Sequence, residues 1–161
     1  MSDGTRGLDS MTSDQAARRR WMGVLAKARL AELEAAWAGL DDRPTYTWLR
    51  RPEVGLVMVR GRAGGTGTRF NLGEMTVTRC ALRVEGGSVG FGYVQGRDGV
   101  HVELAAAFDA LMQTPERHDK IEREIIAPLE ASQAARRQDR SRKANATKVE
   151  FFTMVRGEDV R

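Results

Sequence analysis

Between Asp14 and Leu40 the apolar residues Met22, Ala26, Leu30, Leu33, Trp37 and Leu40 recur at steps of three and four, the spacing of one face of an α-helix. Thr12 and Gln15 precede them at capping-box spacing, so a helix is predicted from Asp14 to about Leu40, unbroken or bent near Ala28, and stopped before Pro44. From Thr45 the period falls towards two. Tyr46 and Trp48 alternate with threonines, and Leu56 to Val59 follows Pro52-Glu53, which reads as two strands. A glycine-rich turn, Gly61 to Gly67, leads to a longer strand over Met75 to Val84. Glu85-Gly86-Gly87-Ser88 is then a hairpin signal before Val89 to Gln95. Connections this short make the sheet antiparallel. The helical period returns with Leu104, Ala107, Phe108 and Leu111, and again with Ile121, Ile125 and Leu129, where Pro128 is expected to kink or interrupt the helix. The segment 149–155 reads as a final short strand.

The predicted class is therefore α+β: an antiparallel sheet of about four to five strands, an N-terminal helix, two helices in the C-terminal half and a closing strand. Residues 1–13 are expected to be a disordered leader. Residues 14–161 are expected to form a single domain, the size one core can organise.

Charge changes the picture only locally. The net charge is +4, yet the segment 132–148 holds Arg136, Arg137, Arg140, Arg142, Lys143 and Lys148 against Asp139 alone, and the rest of the chain is nearly neutral. One basic helical stretch suits a docking arm as well as a phosphate-binding surface. No apolar run approaches the roughly 18 residues of a membrane span, and no apolar segment follows the charges of the first twenty residues, so a cytoplasmic location is expected.

The candidate chemistry is sparse. Gly64-Gly65-Thr66-Gly67-Thr68-Arg69 lacks the lysine and hydroxyl pair of a nucleotide-phosphate loop. Its amides at Gly64, Gly65, Thr66 and Gly67, with the guanidinium groups of Arg69 and Arg79, are candidates for an anion-binding nest, against the plainer role of a flexible strand connection. Cys80, the one cysteine, cannot hold an iron–sulfur cluster and reads as a small buried hydrophobe. His101 and His118 are too few for a zinc site; a surface hydrogen bond is expected for the first and a solvated helix start for the second. No catalytic residue is assigned. The tryptophans and methionines read mostly as core. The adjacent phenylalanines of the terminal strand need cover on both faces, so Phe151, Phe152 and Met154, with Arg136, Arg137 and Arg140 of the basic helix, are expected to meet another subunit.

Several blocks, in order, resemble the PhnG family of the bacterial carbon–phosphorus lyase: Arg20 to Ala26, Glu53 to Val57, Arg60 to Ala81, Tyr93 to Asp98, Asp109 to Gln113 and Phe151 to Gly157. The resemblance implies a subunit that assembles with PhnI, PhnH and PhnJ, two copies of each, and more loosely with PhnL. It implies a part in making ribose 1-phosphonate 5-triphosphate from ATP and a phosphonate with release of adenine, in which PhnI carries the chemistry. ATP and magnesium are used by that complex; the iron–sulfur cluster and S-adenosylmethionine belong to the PhnJ partner. This chain alone is expected to bind no cofactor and to be inactive in isolation. A basic nucleic-acid-binding protein and a stand-alone phosphoester-binding enzyme are the competing readings.

Overall fold

A computed structural model describes residues 12–62 and 66–146. The element order is α1 (Ser13–Lys27), α2 (Leu30–Ala38), β1 (Tyr46–Arg62), β2 (Arg69–Val84), β3 (Val89–Gln95), α3 (Gly99–Met112), α4 (Pro115–Ile121), a π-helical turn (Glu122–Ile126) and α5 (Ala127–Ala146). The class is α+β, but among the described residues the antiparallel sheet has three strands in the order β1-β2-β3 rather than four or five. The expected terminal strand at 149–155 lies outside the described residues.

The difference in strand number has a local cause. Pro52 was read as a separator between two strands, whereas β1 runs through it. As an edge strand β1 tolerates a residue without an N–H, and the pairing with β2 shifts register between Arg50 and Glu53 to absorb it. The strand expected from Met75 likewise starts at Arg69, because Arg69 to Glu74 continue the ladder with Arg62 to Met58. The result is one long hairpin.

The N-terminal helix divides at Ala28, as one of the two expected forms requires. Thr12 and Gln15 exchange the reciprocal bonds of a capping box at its start. Ala28 and Arg29 are extended, and the Glu32 carboxylate accepts from the Arg29 N–H at 2.9 Å to open α2.

Helix α3 is the centre of the molecule. All of its residues except Gly99, Val100 and Glu103 are buried, since the sheet covers one side and α1, α2 and α4 the other. The sheet face towards it presents Thr78, Cys80, Leu82 and Val84 from β2 and Gly90, Gly92 and Val94 from β3. Glycine is required at two of these places. A Cβ at Gly90 would lie 1.8 Å from the Ala106 carbonyl oxygen, and one at Gly92 would lie 2.3 Å from that of Val102. Backbone rests on backbone there, which is why a strand reading Val-Gly-Phe-Gly-Tyr-Val holds a helix so closely.

Pro128 neither ends nor interrupts its helix. The widened turn stands just before it, with the Ala127 N–H donating five residues back to the Glu122 carbonyl. That widening accommodates a residue with no N–H to return to Glu124. α5 then continues for 20 residues, of which only Leu129 is buried.

Candidate docking surface

Two elements leave the body. Strand β3 pairs with β2 only over Val77 to Arg83, and α3 begins at Gly99, whose Cα lies beside Pro52 at the base of the hairpin. Beyond that line, Leu56–Arg62 and Arg69–Thr76 pair with each other alone. They form a two-stranded arm. The row that faces the core lower down continues along it: Val54 opposite Thr78, Leu56 opposite Thr76, Met58 opposite Glu74. With no helix above them, Val54, Leu56 and Met58 are 48%, 61% and 53% exposed, and Phe70 and Leu72 are exposed as well. An isolated hairpin of this kind is marginal in water, and a contiguous apolar surface on it marks a contact site. The second projection is the far half of α5, where every residue from 137 to 146 is exposed.

The predicted site residues separate across these features. Arg69 is at the end of the arm, paired across the ladder with Arg62, and Thr66 and Gly67 lie in the connection; Gly64 and Gly65 are outside the described residues. Arg79 is elsewhere. It lies ten residues along the same strand, roughly 33 Å from Arg69 at the rise of an extended chain, so the two guanidinium groups cannot share one phosphate. Arg79 instead bridges Glu53 at 2.5 Å, and its charged form is favoured by bonding to Tyr93 and to Glu53. Its position in the sheet makes it a brace at the foot of the arm.

Of the basic helix, Arg136 is turned inward. It donates to Glu32 at 2.7 Å and to the Ser132 hydroxyl at 2.8 Å, fastening α5 to α2, and this bond chiefly holds the Glu32 carboxyl below its usual range. Arg137 and Arg140 remain exposed and, with Lys27 and Gln133, line an open cleft of about 370 Å³ between α5 and the end of α1. Phe151, Phe152 and Met154 lie outside the described residues.

Three other expectations change. His101 is not a surface residue: buried beside α1, it bonds the Leu25 carbonyl through Nε2 at 3.0 Å, while Asp98 caps its helix by accepting from its backbone N–H. His118 is partly buried, with Nδ1 2.7 Å from the Met112 carbonyl and its ring edge-on to Trp21. Met58 departs from the mostly core placement expected of the methionines and is exposed on the arm. Cys80 does sit in the core, with Sγ donating to the Val102 carbonyl, and burial pushes its thiol up to about 12. A protonated thiol is not a nucleophile at neutral pH. Tyr46, whose hydroxyl donates to Glu103, is likewise held protonated by burial and by that carboxylate. Among the described residues no group of three or more His, Cys, Asp or Glu is placed to hold a metal ion, and no helix is long and apolar enough to cross a membrane.

The cluster that sequence reasoning missed is built around Asp109. Its carboxylate has no solvent exposure and accepts from Arg18 at 2.7 and 3.2 Å, from the Trp21 indole at 2.9 Å and from the Phe91 backbone N–H at 2.9 Å. Gln113 donates to the Val89 carbonyl, as does Arg18. The outward backbone groups of β3 at Val89 and Phe91 are thus closed by side chains. Both oxygens of the Asp109 carboxylate are engaged in these structural bonds.

The profile of the family described as "Phosphonate metabolism protein PhnG" matches residues 16–157. The chain belongs to the PhnG family. A PhnG relative from Rhizobium meliloti (strain 1021), the alpha-D-ribose 1-methylphosphonate 5-triphosphate synthase subunit PhnG, is 46% identical over 154 residues, covering 92% of this chain and 96% of that protein. Placed on the structure, four of the blocks that carry the PhnG resemblance fall into two groups. Trp21, Asp109 and Gln113 build the cluster on β3, whereas Glu53 to Val57 and the described residues of the 60–81 block belong to the β1–β2 hairpin and its arm.

Proposed function

We propose that this chain is a non-catalytic subunit of an α-D-ribose 1-methylphosphonate 5-triphosphate synthase, docked on its neighbours through the hairpin arm. The synthase joins ATP and a phosphonate with loss of adenine, using magnesium. A PhnI-like partner supplies the reacting groups. PhnH-like and PhnJ-like subunits, two copies of each, complete a cytoplasmic core with which a PhnL-like protein associates more loosely. The iron–sulfur cluster and S-adenosylmethionine reside on the PhnJ-like partner, and this chain carries no cofactor of its own.

One observation supports the docking role above the rest: the apolar row of Val54, Leu56 and Met58 runs off the end of the core into solvent. Nothing in the chain itself returns to cover it among the described residues. Cys80, buried and protonated, and Asp109, engaged in structural bonds, are not poised for reaction, which favours an accessory role over a stand-alone enzyme. The positive charge of α5, partly spent on Glu32, supports docking of Arg137 and Arg140 on a partner over general nucleic-acid binding.

Co-expression with the candidate partner subunits, followed by purification through this chain, tests the reading. The wild-type chain is expected to bring the partners down in stoichiometric amount. Leu56→Asp with Met58→Asp is expected to weaken that association about 30-fold or more, as loss of a central apolar anchor does, while the variant itself stays folded. Stoichiometric recovery with the doubly charged arm would refute docking through this surface.

A further inference from the structure

The end of the arm differs in chemistry from its shank. Between Glu53 and Glu74 the chain has no acidic residue, and its charged side chains there are Arg60, Arg62 and Arg69. All three are exposed, and none has an ion-pair partner among the described residues. The register sets Arg62 directly opposite Arg69, with Arg60 opposite Asn71 two positions inward. Like charges facing each other across an antiparallel pair are destabilising. Elsewhere in this molecule an arginine near a carboxylate finds it, as at Arg79–Glu53, Arg136–Glu32 and Arg20–Glu122. The end of the arm holds three arginines and no carboxylate, a concentration of cations that no ion pair among the described residues neutralises.

Resting on the docking reading above, we propose that the arm is an anion-binding finger: its shank seats on a neighbouring subunit, and Arg60, Arg62 and Arg69 bind the polyphosphate of the substrate in a site completed between the two chains. Guanidinium groups carry paired N–H donors that fit phosphate oxygens two at a time. A polyphosphate between Arg62 and Arg69 turns their repulsion into two attractions. Removal from water on docking strengthens each of them. An apolar shank with a cationic end also divides the labour: the shank supplies affinity for protein, and the end is free to meet the small anion.

The test uses the co-purified complex and inorganic tripolyphosphate as probe. The triple variant Arg60→Gln, Arg62→Gln, Arg69→Gln is expected to assemble at wild-type yield and to weaken tripolyphosphate binding, measured by calorimetry, at least tenfold. Arg69→Gln alone is expected to give a smaller loss in the same direction. Unchanged affinity in an assembled triple variant, or no tripolyphosphate binding by the wild-type complex, would overturn the finger and leave the docking reading intact. Loss of assembly in the triple variant would also overturn it, because the arginines would then be meeting protein carboxylates. Failure of the wild-type chain to recover any partner would remove both readings at once.

Discussion

A carboxylate with no solvent exposure is tolerated only when its oxygens are engaged, and Asp109 meets that condition with three kinds of donor. Its replacement by alanine strands the Trp21 indole and the Phe91 N–H in the interior and releases Arg18. Asp109→Ala is therefore expected to lose about 3 kcal/mol of stability, read as a fall in the urea midpoint at unchanged slope. Little of this was legible beforehand. Asp109 sits in a run of apolar residues where the helical period is clear, but its partners other than Gln113 are 18 to 91 residues away in sequence, and no local pattern encodes such distances. Cys80 was legible, because a lone thiol between apolar neighbours in a strand has few alternatives to burial. His101 was not: the helix start was visible, but the Leu25 carbonyl that receives its ring comes from another element.

Elements were easier to read than their joins. The helical periods identified α1, α2, α3 and α5, and the break at Ala28 was one of two forms foreseen. The strands were divided too finely because proline and glycine were taken as punctuation, and an edge strand admits both. β3 shows the opposite case. Its glycines at alternate positions let α3 approach the strand, a role that only the structure reveals. Gly90→Ala is expected to cost about 3 kcal/mol or more, or to prevent folding, because the added methyl meets the backbone of Ala106 and Ala110 and neither can yield. Gly73→Ala in the arm, where an added Cβ meets nothing within 4 Å, is expected to change stability by about 0.5 kcal/mol at most. Thermal unfolding of the two variants side by side checks the contrast.

At the scale of the whole molecule the question is how the last long helix stays on the body when only Leu129 of α5 is buried. Polar fastenings do much of it: Arg136 and Ser132 to Glu32, Gln133 to the Val24 carbonyl at 2.8 Å, and Arg20 to Glu122 and Glu130. Glu32 gives this a pH dependence. Its carboxyl is held below the ordinary value of 4.5, chiefly by Arg136. The unfolded chain therefore takes up the proton first as the solution is acidified, so the stabilisation is complete above about 4.5 and drains away as the pH falls through the native value. Glu32→Gln is expected to unfold at a lower temperature than the wild type at pH 7, with the gap narrowing steadily below pH 4.5. A constant gap would mean that the carboxylate charge is not what fastens α5.

The two borders of the sheet are unequal, and this limits how copies of the chain can associate. Along β3 the outward amide of Phe91 and carbonyl of Val89 are already occupied by Asp109, Arg18 and Gln113, so no incoming strand finds a ladder there. Along the outer border of β1 no strand is paired among the described residues. Strand addition, whether by a different protein or by a twin related by a two-fold axis, is thereby directed away from the closed stretch of β3 and towards β1 and the arm.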